Sequence, residues 1–349
     1  MTAPANPSRL PRPAVSARPA RRLAKALPAL VLGGLAVTAA IPAAQAESRP
    51  AQLVIVSFDG AHDNVMWERS LKMAEKTGAH FTYFLSCTFL MSKAERKGYT
   101  APGKSAGASN IGFAPDHADV ENRLNHIWTA YRAGHEIGSH GCGHFDGGAW
   151  TKAQWSQEFD QFDAALRTAW TTIGQKDKEP DGWQEMAENS VKGFRAPYLS
   201  SGEGLFAALA EHGFAYDAST VSRGPAVPDT KRKPARFALP LIPEGPHERR
   251  VIAMDYNLFV RHSKAEETPE HKAEFEERSL TAFEAAFREQ YDGARIPLQL
   301  GFHFVPMNGG AYWDALETLL TDVCGKPDVE CVTYSEALSQ LKTASRSAT

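Results

Sequence analysis

Residues 52–67 read QLVIVSFDGAHDNVMW, and this stretch decides which fold class suits the chain. Its first seven residues form a continuous β-branched and aromatic run, which is typical of a strand buried on both faces. Asp59 and Asp63 follow, and the spacing of apolar residues predicts a helix over 64–78 that ends at Gly78. The turn lacks the GxGxxG pattern of dinucleotide-binding sheets.

Strands and helices alternate about seven times downstream of this stretch without a break in composition. The alternation predicts parallel strands, right-handed crossovers and a single α/β barrel or sheet. Six prolines and many charges between residues 221 and 250 predict an irregular excursion there. The other predicted strands are HFTYFLSC, HEIGSH, VKGFRAP, FAYDAS, RRVIAMDYN, IPLQLGFHF and ECVTY.

The first 46 residues differ in character from the rest. Basic side chains precede the apolar run ALPALVLGGLAVTAAI, and a small-residue cleavage pattern ends at Ala46. This layout predicts a secretion signal over 1–46, export to the periplasm or beyond, and no stable membrane insertion after cleavage. Residues 47–349 are then expected to form a single domain. With 41 acidic and 38 basic residues among 349, the composition argues against a nucleic-acid partner.

Four cysteines in an exported chain permit two disulfides. Cys324 and Cys331 flank a turn-rich segment and are expected to pair. Cys87 ends a predicted strand and Cys142 lies between two histidines, so we expect a second disulfide there rather than a thiolate ligand. Buried free thiols are the alternative, and the absence of a CxxC pattern gives no support for a zinc ribbon.

Polar residues follow the predicted strands at the end where an α/β barrel carries its chemistry. His140 and His144 are spaced i and i+4, which suits one divalent metal with a carboxylate as third ligand. Three protein ligands leave a position open for water or substrate, as in catalytic rather than structural sites. The residues after strands are Asp59, Asp63, His140, His144, Arg195, Asp255 and His303.

Five segments in order resemble the NodB-type polysaccharide deacetylases, which form carbohydrate esterase family 4. They are VSFDG, GHEIGSHGCGH, FRAPY, AMDYN and LGFHF, and they extend over most of residues 53–304. The resemblance implies a distorted seven-stranded (β/α) barrel of the NodB-homology type. It also implies metal-dependent hydrolysis of acetyl groups on an N-acetylated polysaccharide, with zinc as the expected ion.

The resemblance assigns roles that fit the needs of amide hydrolysis. Asp59 matches the general base, His303 the general acid, and Arg195 the residue that orients the base. The backbone N–H of Tyr198 would face the oxyanion. Asp255 is expected either to orient His303 or to pair with Arg195.

One position departs from the family pattern, because Gly60 stands where the family has its metal-binding aspartate. Asp63 is the nearest replacement, although an aspartate at that position is equally suited to cap the following helix. Asp59 turning to the metal, or His62 binding it, are the remaining options. The first option predicts that Asp63→Ala removes most metal, whereas Asp59→Asn keeps metal and loses turnover.

Two rival functions remain open. A silent carbohydrate-binding protein on the same barrel would have lost its metal through the Gly60 change, and an O-acetyl esterase would use the same machinery. Trp150 and Trp313 lie in glycine-rich segments near the predicted site and are candidates for sugar contact, whereas the other tryptophans are expected in the core. The polysaccharide could be chitin-like, a cell-wall glycan or an exopolysaccharide, and the oligomeric state is not predicted.

Overall fold

The structure, a computed structural model, describes residues 49–347. The predicted secretion signal over 1–46 lies outside this range. The strands are β1 (Gln52–Gly60), β2 (Phe81–Leu85), β3 (Glu136–Ser139), β4 (Gly193–Phe194), β5 (Tyr216–Ser222), β6 (Ala235–Glu244), β7 (Arg249–Ile252), β8 (Leu298–His303) and β9 (Val329–Cys331). The helices are α1 (Asn64–Thr77), α2 (His117–Arg132), α3 (Lys152–Thr172), α4 (Trp183–Asn189), α5 (Glu203–Glu211), α6 (Asp255–Ser263), α7 (Lys272–Asp292), α8 (Met307–Val323) and α9 (Tyr334–Ser347).

The strands form one sheet in the order β7-β6-β5-β4-β3-β2-β1-β8, with β9 paired to the start of β1. Every pairing is parallel except β6 with β7. A single parallel bridge between Met254 and Gly301 brings β8 back to the chain that follows β7. The sheet therefore curls into a partly closed barrel with helices outside, which confirms the predicted (β/α) barrel class.

The segment 221–250 is more regular than its sequence suggests, and the prediction of an irregular excursion is wrong. It contains β6, which the sequence pattern did not predict, and the first residues of β7, so the number of strands rises from the predicted eight to nine. β6 pairs with β5 over residues 235–240 and with β7 over residues 241–244. Each half of β6 is therefore paired mainly on one side, and such edge-like positions tolerate the prolines at 240 and 243.

The predicted strand RRVIAMDYN is also too long. Its first four residues form β7, but Asp255 begins α6, so this residue lies in the first turn of a helix. The polar loop after α3 likewise contains the short helix α4, which the sequence pattern did not indicate.

β1 is an inner strand that pairs with β2, β8 and β9, and its residues from Gln52 to Asp59 are buried. Its continuous apolar run is explained by this position, because helices cover the outer face while side chains fill the barrel. Phe58 stacks on Trp313 with ring centroids 4.8 Å apart and on Tyr83 at 5.5 Å. Burying a side chain of this size contributes about 1.5–3 kcal/mol.

Two disulfides join Cys87 to Cys142 and Cys324 to Cys331, which confirms both predicted pairings. The second bond links the end of α8 to β9 and so fixes the last strand beside β1. Across residues 49–347, none of the helices combines the length and apolarity needed to cross a bilayer.

Candidate active site

The parallel register brings the predicted site residues to one end of the barrel. Asp59 lies opposite His303 of β8, and Ser139, which precedes His140, lies opposite Phe194, which precedes Arg195. The side chains that follow β1, β3, β4 and β8 therefore share one mouth, as expected for the carboxyl ends of barrel strands.

Asp59 forms a buried ion pair with Arg195, in which Nη1 donates to Oδ1 at 2.9 Å. Burial alone would raise the pKa of Asp59, but the charge and hydrogen bond of Arg195, with the neighbouring His140 and His303, outweigh burial and lower the pKa. Asp59 is therefore a carboxylate at neutral pH. Its Oδ2 receives no hydrogen bond from the described residues, so one oxygen is left for chemistry.

The Arg195 guanidinium is fully buried and held on several sides. It donates to Ser57 Oγ at 2.7 Å, to the Ala218 carbonyl at 3.2 Å and to the Tyr334 hydroxyl at 2.7 Å. Sequence reasoning did not identify Ser57 or Tyr334 as part of the site. Ser57 could have been found, because alternate residues of a strand share a face with Asp59; Tyr334, 139 residues from Arg195, gave no such signal.

His140 and His144 lie close together, with ring centroids 5.1 Å apart. His140 Nδ1 is 2.7 Å from the carbonyl of Arg195, which can only accept, so Nδ1 carries the proton and Nε2 keeps its lone pair. Burial, together with neighbouring histidines, lowers the pKa of His140 to about 3. Burial likewise lowers the pKa of His144. Both rings are therefore neutral and suited to bind a metal.

His303 is held by Asp255 through two hydrogen bonds. Its Nδ1 lies 2.7 Å from Asp255 Oδ1, and its backbone N–H donates to Oδ2 at 2.8 Å. Burial lowers the pKa of His303, but the charge of Asp255 outweighs this effect and the net shift is upward. Of the two predicted partners for Asp255, the structure therefore selects His303 and not Arg195.

Tyr198 lies beside the histidine pair, with its ring centroid 4.7 Å from that of His144. Its backbone adopts a left-handed conformation at φ 58°, and its N–H has no acceptor among the described residues. His144 is also left-handed at φ 54°. Such strain in non-glycine residues collects at functional sites, where the surrounding structure enforces it.

The segment 87–115 and helix α3 hold the histidine motif from outside. Besides the Cys87–Cys142 disulfide, Cys142 N donates to the buried carboxylate of Glu158 at 2.8 Å, and Gly143 N donates to the Tyr99 hydroxyl at 3.0 Å. Sequence reasoning missed Tyr99 and Glu158. For Tyr99, the predicted Cys87–Cys142 disulfide was the available signal, because it places the segment after Cys87 against the motif.

Asn110, from the same segment, joins two loops of the site. Its Nδ2 donates to the His144 carbonyl at 2.9 Å and lies 3.4 Å from the Tyr198 hydroxyl, while its backbone N–H donates to the Gly143 carbonyl at 2.8 Å. Asn110 therefore supports both left-handed residues, and nothing in its local sequence indicated this.

Asp63 has a structural role at the start of α1. Its Oδ1 accepts the Met66 N–H at 2.9 Å and caps α1, which is the other role the sequence allowed. The charge of Asp59 acts on both His140 and His144. His62 stacks on Phe89 and lies near Asp63 and Asp119.

The two candidate sugar-binding tryptophans are not exposed platforms. Trp313 is buried, and its indole N–H donates to the His303 carbonyl at 3.0 Å, so it supports the site from the core instead of contacting sugar. Trp150 is half-buried against Trp155, with ring centroids 4.8 Å apart. Trp155, Trp170 and Trp183 are buried as predicted, while Trp128 is only partly buried.

The donor chemistry at the mouth fits a divalent transition metal, since two neutral imidazoles and a carboxylate are the usual ligands. No three His, Cys, Asp or Glu side chains within residues 49–347 are already grouped as a ligand set. Asp59 is the carboxylate whose charge reaches both motif histidines. It is therefore the best-placed third donor.

No family model and no curated protein matches this chain. Among solved structures, a proposed polysaccharide deacetylase from Mycobacterium smegmatis matches with TM-score 0.54 and 17% identity, over 85% of this chain and 93% of that one. A family 4 acetyl xylan esterase from Clostridium thermocellum, in complex with a cobalt ion, matches with TM-score 0.42 and 15% identity, over 83% of this chain and 92% of that one. A family 4 pseudoenzyme from Bacillus anthracis matches with TM-score 0.41 and 12% identity, over 82% of this chain and 66% of that one. The first likeness supports the predicted (β/α) barrel fold. Activity has to be argued from the residues of this chain.

Proposed function

We propose that this protein is an exported, metal-dependent hydrolase that removes acetyl groups from an N-acetylated polysaccharide. The observation that carries the proposal is the arrangement of Asp59 and His303 at the same mouth, each held by its own buried partner, Arg195 and Asp255 respectively. A silent binding protein has no chemical need for two such supported groups beside a histidine pair.

We propose His140, His144 and Asp59 as the metal ligands. Gly60 provides no side chain and Asp63 caps α1, so Asp59 is the carboxylate available to the histidine pair. When bound, zinc or a similar ion would supply a nucleophilic water at neutral pH and polarise the acetyl carbonyl. This assignment moves Asp59 from the role of base to that of ligand, and leaves proton transfer to His303.

The remaining residues serve the acyl-transfer chemistry. His303 has its Nδ1 fixed by Asp255, so Nε2 is the atom that gives a proton to the departing amine. The free N–H of Tyr198 donates to the oxyanion that forms on the acetyl group. Arg195 holds one oxygen of Asp59 and thereby orients the other.

The test is acetate release from acetylated chito-oligomers by the purified mature chain, with zinc or cobalt added. The proposal predicts release that a chelator abolishes and that added metal restores. A chain that binds no divalent ion and releases no acetate would be the silent binding protein. Acetate released from acetylated xylan but not from chito-oligomers would identify an O-acetyl esterase instead.

A further inference from the structure

A groove of about 420 Å³ lies between β7 and α6, outside the mouth described above. Within the described part of the chain, no acidic residue lines it. Four of the seven lining residues are apolar and three are polar or basic: Leu241, Arg250, Val251, Ile252, Asn257, Val260 and Arg261.

The groove is continuous with the candidate active site through one face of α6. The helix begins at Asp255, which holds His303, and the next residue, Tyr256, is 49% exposed with its ring centroid 6.1 Å from that of His303. Val260, one turn further, is 44% exposed and lines the groove. Residues four apart share a helix face, so Tyr256 and Val260 form an exposed strip that leads from His303 into the groove.

Four arginines surround the far end of this strip: Arg223, Arg249, Arg250 and Arg261, here called the arginine cluster. Arg261 donates to the carbonyls of Arg249 and Arg250 at 3.2 and 3.0 Å. Nη1 of Arg250 lies 3.6 Å from the position that a Cβ atom would take on Gly224, and Gly224 directly follows Arg223 in the chain. The cluster is therefore a local concentration of positive charge at the end of β5 and the start of β7.

The positive charge of the cluster is only partly balanced by nearby carboxylates. Glu244 is buried and accepts from Arg278 at 2.7 Å, with Arg261 more distant at 3.8 Å; Glu248 is exposed at the hairpin tip and forms no ion pair with the described residues. Arg223 and Arg249 are exposed, and their guanidinium groups have no hydrogen bond or ion pair with residues 49–347. A purely structural role explains Arg250 and Arg261, which bond backbone carbonyls, but not these two.

We propose that the groove and the arginine cluster bind acidic sugar units of the polysaccharide, so that the substrate is an anionic polymer. The inference rests on the proposed function, because that function sets the direction in which the polymer crosses the mouth. Sugar rings would pack on Tyr256 and Val260. The carboxylate groups of the sugars would each accept two parallel hydrogen bonds from an arginine guanidinium group. Because the whole chain has a net charge of −3, attraction of a polyanion has to come from this local cluster.

The experiment uses affinity electrophoresis of the mature chain through gels that contain polygalacturonate or neutral hydroxyethyl cellulose. The test variant is Arg223→Glu/Arg249→Glu. The matched control is Lys231→Glu/Lys233→Glu, which makes the same charge change at exposed lysines beside the start of β6, about 30 Å from its other end. Arg223→Gln/Arg249→Gln provides a milder variant if the double charge reversal lowers the folded fraction.

The wild type and the lysine control are expected to be retarded by polygalacturonate and not by the neutral polymer, with retardation weakening as salt rises. The arginine variant is expected to bind polygalacturonate at least about tenfold more weakly. Equal retardation in both gels, or equal loss in both variants, would overturn the inference. Retention on polygalacturonate without acetate release from any acetylated glycan would instead remove the proposed function and leave the binding surface in place.

Discussion

Two groups of three histidines lie at opposite ends of the parallel strands, and only one has the surroundings of an active site. His140, His144 and His303 follow strands and share the mouth with the buried Asp59–Arg195 pair. The other group lies beside the strand starts, where a cavity of about 560 Å³ between α1 and α2 is lined in part by His80, His126 and His135.

Both groups contain histidines that burial keeps neutral. Burial lowers the pKa of His135 to about 4, and its Nδ1 accepts the Phe81 N–H at 3.0 Å. The carboxylate nearest this group, Glu336, contacts His80 at 2.9 Å, and both side chains are substantially exposed. Neutral imidazoles alone therefore do not make a reactive site; the mouth differs by its buried carboxylates, each oriented by hydrogen bonds.

The largest effect on the difference between the two histidine groups is expected when the negative charge of Asp59 is removed. Asp59→Asn is expected to lower acetate release about 10³-fold, because the mouth loses its buried anion. His126→Gln in the other group is the control and should leave the rate unchanged. Since Arg195 would be buried without a counter-charge, a loss of about 3–5 kcal/mol in the free energy of unfolding is also expected, and rates are compared per folded molecule by urea titration.

Asp255→Asn tests the second buried carboxylate. It is expected to lower kcat about 10²-fold and to move the alkaline limb of the pH–rate profile to lower pH, because Asp255 raises the pKa of His303. By linkage, the Asp255–His303 charge pair stabilises the wild type fully below about pH 6.5, and this contribution is lost as pH rises through the raised pKa. An alkaline limb that stays in place would mean that His303 is not the proton donor.

The two disulfides allow the mouth to be compared with a purely structural link. Cys87→Ser/Cys142→Ser removes a link between cysteines 55 residues apart and is expected to lower the free energy of unfolding by about 4 kcal/mol. Cys324→Ser/Cys331→Ser removes a link between cysteines 7 residues apart and is expected to lower it by about 2 kcal/mol. Urea unfolding measures both. Only the first variant should also need about tenfold more zinc for half-maximal activity, because Cys142 lies between the two motif histidines; an equal zinc requirement would contradict this.

The smallest effect is expected at Asp63. Asp63→Ala removes the helix cap of α1 and should cost about 1 kcal/mol in the free energy of unfolding, while acetate release per folded molecule stays at the wild-type level. Asp63→Asn keeps a capping oxygen and should recover most of the stability. A large loss of activity in both variants would show that the carboxylate itself is needed.

The barrel and the strand-end residues of the site could be predicted because they depend on local pattern. The buried run before Asp59 can only be a central strand, and its register fixes which ends meet. The pair of cysteines at 87 and 142 likewise gave a correct long-range contact. β6 was missed because its prolines contradict strand propensity, and only the change of partner along its length makes them acceptable.

The rest of the site depends on contacts between distant parts of the chain. Tyr334 reaches Arg195 across 139 residues and Asn110 reaches Tyr198 across 88, and neither has a local signature. The choice between the two aspartates after β1 was equally inaccessible. Both suit a metal in sequence, and the proposed assignment to Asp59 rests on the cap hydrogen bond of Asp63 and on the charge of Asp59 that acts on His140 and His144.

The most direct test of the account is the zinc content of Asp59→Asn and Asp63→Ala, measured by elemental analysis after dialysis against the same free zinc. We predict about one zinc per chain for the wild type and Asp63→Ala, and less than about 0.1 for Asp59→Asn, because loss of one of three ligands weakens binding severely. Full zinc in Asp59→Asn together with loss of zinc in Asp63→Ala would contradict the account and return the ligand role to Asp63.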